Sequence, residues 1–130
     1  MSTKKPTAGT APKSPCEDGG GELVPISGHL NVLSSDTLTC RAFVCDANAN
    51  VRVWLSSDLF VDQTGSSLIE TTVPVPGPGT YVLRWGFLFE GDKWGIRLEV
   101  DVNSVTRFRF RKSDKSKHPF DHYFLGLLVS

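Results

Sequence analysis

The 130-residue chain carries 14 Lys+Arg against 14 Asp+Glu, so no whole-chain field exists to steer nucleic acid or an anionic membrane toward it. Length and a 39% hydrophobic content fit one domain with a core of its own. No apolar run approaches the roughly 18 residues of a membrane span, and the N-terminus lacks the apolar centre of a signal peptide. The expectation is a cytoplasmic protein with reduced cysteines and no membrane partner.

Residues 1–22 contain three Pro, four Gly and no aromatic residue. Such a segment cannot bury enough surface to offset its ordering entropy. It is read as a disordered N-terminal tail, with a single β-domain over 23–130. Cys16, Cys40 and Cys45 have no framework spacing. The odd separation of Cys40 and Cys45 sends them to opposite faces of a strand, which makes them poor partners for each other and leaves a bond from Cys16 to either one open.

No stretch beyond the tail keeps a helical period. Short strand-like runs separated by turn residues appear instead, at 26–33, 38–45, 51–56 and 67–73. Asp46–Asn50 reads as a turn whose residues tolerate left-handed backbone. Pro74–Gly79 breaks the chain, because its prolines cannot donate to a ladder, and suits a crossing between two sheets.

The second half alternates strictly. Tyr81, Leu83, Trp85, Phe87 and Phe89 share one face, as do Trp94, Ile96, Leu98, Val100 and Val102. A two-residue turn at Gly91-Asp92 would join them as a hairpin, with Phe89 opposite Trp94 and Trp85 opposite Leu98. The other face would then set Glu90 against Lys93 and Arg84 against Glu99. A further strand, Thr106–Arg111, pairs Val100 with Phe108, Leu98 with Phe110, Asp101 with Arg107 and Glu99 with Arg109, given a three-residue loop at 103–105. A two-residue loop would turn that strand over. Residues 120–129 form a last strand, apolar on both faces from Phe124, which must be central or covered. The class is all-β: a two-layer antiparallel sandwich, Ig-like or jelly-roll, of about eight strands with no significant helix.

Function is less legible. The run 107–118 carries six cations against Asp114. Two arginines have carboxylate partners in the expected register, which leaves Arg111, Lys112, Lys115 and Lys117 to meet an anion. Trp54 shares a face with Arg52 rather than with Val53 and Leu55, so its pattern predicts exposure and a contact role for both. His118 and His122 lie about 13 Å apart on an extended chain, too far to share a metal. No spacing resembles a zinc motif or a nucleophile elbow. The expectation is therefore a non-enzymatic binding module without cofactor or metal, acting on a protein partner or a second copy of itself. Carbohydrate binding through Trp54 ranks next, and a capsid-like, nucleic-acid-associated shell using residues 111–117 ranks below it.

Overall fold

A computed structural model describes Cys16 and residues 21–66, 68–91, 93–114 and 120–130. Among these residues there is no helix. The strands are β1 (His29–Val32), β2 (Leu38–Cys45), β3 (Asn48–Leu55), β4 (Asp58–Gly65), β5 (Leu68–Val73), β6 (Gly79–Glu90), β7 (Trp94–Val102), β8 (Val105–Asp114) and β9 (Phe120–Val129). They form two sheets, ordered β1-β9-β6-β3-β4 and β5-β2-β7-β8. This is the expected all-β sandwich with one strand more, since β4 occupies the stretch whose alternation is too irregular to read. One pairing breaks the antiparallel expectation: β1 runs parallel to β9.

Period-2 alternation explains the two layers. Each strand turns one set of side chains inward, and Leu38, Val51, Leu83, Trp85, Ile96, Leu98 and Leu127 are completely or almost completely buried. Trp85 and Trp94 both lie in this core, as their alternation requires. Each large apolar side chain so buried contributes on the order of 1.5–3 kcal/mol. The final strand is central, between β1 and β6, with Leu125, Leu127 and Val129 in the core.

The expected hairpin between Tyr81–Phe89 and Trp94–Val102 does not form. β6 pairs with β3 and β9, whereas β7 pairs with β2 and β8. The chain crosses from one sheet to the other between them, with Gly91 at φ 114°. Asp92 lies outside the described residues. Phe89 and Trp94 still meet, stacked at 4.1 Å between ring centroids, but across the core rather than along a ladder. Alternation reports which face is dry, and two strands facing each other through a core match as well as two neighbours in a sheet. Glu90 and Lys93 are accordingly not ladder partners, and Arg84 and Glu99 stand on different sheets.

The β7–β8 hairpin does form, with Val100 opposite Phe108, Leu98 opposite Phe110 and Glu99 opposite Arg109. Its turn is nevertheless the two-residue one, Asn103-Ser104, with φ of 52° and 68° between paired Val102 and Val105. A bulge between Val100 and Asp101 leaves Arg107 unpaired in the ladder and restores the faces. Asp101 therefore stands opposite Thr106 rather than Arg107.

The Pro74–Gly79 break is a sheet crossing, as expected, and the Tyr81 hydroxyl pins it by donating to the Gly77 carbonyl at 2.9 Å. Asp46 adopts a left-handed φ of 64° at the crossing from β2 to β3. Cys16 is not part of a detached tail: it is buried and disulfide-bonded to Cys45, leaving Cys40 as a buried free thiol. That bond also replaces the expectation of reduced cysteines. Residues 21 and 22 also contact the sandwich, since Arg109 donates to the Gly21 carbonyl and the Arg111 backbone N–H to the Glu22 carboxylate. The rest of 1–20 lies outside the described residues.

Candidate functional site

The two outer faces of the sandwich differ in chemistry. On the four-stranded sheet, Arg41 reaches Asp101 at 2.6 Å, Glu99 at 3.1 Å and Glu70 at 3.5 Å. Arg109 binds Glu99 at 2.7 Å, and Arg97 adds a contact at 3.6 Å. Burial works against ionisation of Glu99 and Asp101. Hydrogen bonds from Arg109 and Arg41 to Glu99, and from Arg41 and Thr106 to Asp101, outweigh it and hold both carboxyls below their ordinary range. Three arginines meet three carboxylates within one connected network.

The five-stranded sheet turns a different surface outward. Rows across β3, β6 and β9 bring together Asn50, Leu88 and Phe120; then Arg52, Gly86 and His122; then Trp54, Arg84 and Phe124. Phe120 and Phe124 are about two-thirds exposed, at 65% and 64%. Leu59, Val82 and Leu88 add further exposed apolar surface. Arg52 and Trp54 thus stand on the outer face, as alternation predicts. Arg52 pairs with Asp62 at 3.4 Å, and Asn50 donates to the same carboxylate at 2.8 Å. Trp54 is half-buried, because the Arg84 guanidinium stacks 4.0 Å from its ring centre.

Gly86 makes a gap in this surface. A Cβ there would stand 2.9 Å from Trp54 Cζ3 and 3.4 Å from His122 Cδ2, so the close approach of the indole requires glycine. The resulting groove, of about 180 Å³, is lined by Asn50, Arg52, Trp54, Gly86, Phe87, Leu88, Phe120 and His122. That volume falls below the roughly 300–1,000 Å³ of typical small-molecule sites and suits a single side chain.

The basic stretch behaves differently from its reading as a set of free cations. Lys112 shares the inward face of Phe108 and Phe110. It pairs with Asp121 of β9 at 3.1 Å, near the rings of Trp94 and Tyr123. Asp121 is pulled below its ordinary range because hydrogen bonds from Tyr123 and Lys112 overcome its partial burial. Arg111 faces Arg97 across the ladder and is itself engaged. Lys115, Lys117 and His118 lie outside the described residues. The structure therefore keeps Arg52 and Trp54 apart from the β8 cations, and joins them instead to Arg84, Gly86, Phe120 and Phe124. Sequence reasoning missed Arg84 and Gly86 because it spent the outer face of β6 on a hairpin with β7. Their alternation out of the core was the available signal.

Among the described residues no group of three or more His, Cys, Asp or Glu could hold a metal ion. No described helix is long and apolar enough to cross a membrane. Comparison with known proteins supplies no relative: no family model, curated protein or solved structure matches the chain.

Proposed function

We propose that the protein is a non-enzymatic binding module that docks another polypeptide on the outer face of its five-stranded sheet. The observation that carries this reading is that exposed Phe120 and Leu88 line the Trp54–Gly86 groove while exposed Phe124 and Val82 extend the same outer face along β9 and β6. Exposed aromatic residues gathered on one face, rather than scattered, mark contact surfaces. The opposite face is dominated by the Arg41–Glu99–Asp101 ionic network, and its apolar outward residues are fewer: Phe43, stacked under Arg97, and the neighbouring Leu68.

The test is selection of a displayed random-peptide library on the immobilised full chain. Binders should lose affinity when Phe120→Asp and Phe124→Asp are combined, and keep it with Val105→Asp, an exposed apolar position at the start of β8 on the other sheet. Binders that ignore the double substitution would contradict the reading. Carbohydrate stacking on Trp54 is less well supported, because Arg84 already covers part of that ring.

A further inference from the structure

We infer that the occupant of this face is an acidic, apolar segment of a different protein, whose carboxylate is received by Arg84. The inference rests on the docking role proposed for the face and names what recognises the partner there.

Arg84 and the exposed Arg107 differ from Arg41, Arg52, Arg97 and Arg109 in having no ion pair with a described carboxylate, and of the two only Arg84 lies on the docking face. Arg41, Arg52, Arg97 and Arg109 each stand within 3.6 Å of a carboxylate, whereas none of the described carboxylates pairs with Arg84. Its ladder neighbours are Trp54 and Phe124. Its Nε is buried and has no hydrogen-bond partner. The one carboxylate in the adjoining row, Asp62, is already held by Arg52 and Asn50. No described carboxylate thus pairs with this positive charge, which is held flat against an indole.

Stacking fixes the guanidinium plane, so little side-chain freedom remains to be lost on binding. The fork presents donors that match a carboxylate. Tryptophan and arginine ringed by apolar contacts also form the usual centre of a binding hot spot. Charge decides between the two kinds of occupant. A second copy would bring its own Arg84 to the same patch, and Asp62, the acid in the neighbouring row, is already neutralised. A foreign segment with one acid complements the surface.

Spacing adds a register. Gly86 and Arg84 are two residues apart on β6, about 6.6–6.8 Å at the usual strand rise. An extended segment lying along the strand would seat an apolar side chain in the groove and an Asp or Glu two residues away.

Panning a random dodecapeptide library on the full chain tests this directly. The expected result is enrichment of Asp or Glu two positions from Phe, Trp, Leu or Ile. Affinity should fall about tenfold or more with Arg84→Gln, the scale of a lost charge-assisted hydrogen bond, and recover partly with Arg84→Lys. Circular dichroism of each variant confirms that it is folded. If binders depend on Phe120 and Phe124 but carry no acid and ignore Arg84→Gln, the inference fails while the docking face stands. If they ignore all three positions, or no peptide is enriched, both fail. Sedimentation showing a dimer that Phe124→Asp dissociates would overturn the foreign occupant in favour of a second copy.

Discussion

Phe89 and Trp94 stack with ring planes 6° apart although their strands belong to different sheets. The pair spans the chain's crossing from β6 to β7 and closes one end of the core. Truncating either ring should destabilise the protein by roughly 3–5 kcal/mol. A double-mutant cycle in urea should also show a coupling of about 0.5–1.5 kcal/mol beyond burial. Additive losses would mean that the rings do not meet.

The ionic network on the four-stranded sheet sets the response to acid. Glu99 and Asp101 have ordinary values of 4.5 and 3.8 and are lowered in the folded protein. Groups depressed in this way stabilise the fold fully above those values, and that stability is lost as pH falls toward the folded values. The urea midpoint should therefore be level near neutrality and decline below about pH 4.5. Arg41→Met removes the shared partner, so it should lower the midpoint near neutrality and flatten the acid decline.

The Cys16–Cys45 bond closes a sequence separation of 29 residues. Loop-closure entropy for such a span gives roughly 3–4 kcal/mol. Cys16→Ser should lose most of this, Cys45→Ser a similar amount, and the double variant little more than either alone. Denaturation with and without reductant checks it: the wild type should shift on reduction and the Cys16→Ser variant should not.

Cys40 is nearly inaccessible, and burial pushes its thiol up to about 12. Only the thiolate reacts readily, so the native, unreduced protein should show almost no labelling by a disulfide reagent at pH 8. One thiol should appear after unfolding. Fast labelling of the native protein would contradict the buried placement.

Gly86→Ala fills the floor of the groove, where the added carbon would press on Trp54 Cζ3. The indole can yield outward, so the stability cost should stay within about 1–3 kcal/mol, while peptide binding on this face is lost. Trp54 is the most exposed of the three indoles, since Trp85 and Trp94 are buried. A change in tryptophan emission should report its displacement.

Much of the fold is legible in the sequence because alternation is a local property. The inward sets of β3, β6, β7 and β8 and the buried Trp85 and Trp94 follow from it, while the central β9 follows from being apolar on both faces and the crossing at Pro74–Gly79 from its prolines. Which strand pairs with which does not, since β6 and β7 carry matching apolar faces whether they share a sheet or oppose each other through the core. The Val100–Asp101 bulge is hidden for a related reason: one extra residue offsets the parity of a two-residue turn, and a three-residue loop gives the same faces. At the site, the outward placement of Arg52 and Trp54 was visible from their alternation with Val51, Val53 and Leu55, but the cover that Arg84 gives Trp54 was not. The role of Arg84 depends on β3 and β9 flanking β6, which is a fact about pairing alone.

The docking face is tested most directly by mapping backbone amide shifts by nuclear magnetic resonance as a selected acidic peptide is added. The account predicts perturbations centred on Trp54, Arg84, Gly86, His122 and Phe124, weakened by Arg84→Gln. Perturbations centred instead on the Arg41–Glu99 face, with this surface silent, would contradict it.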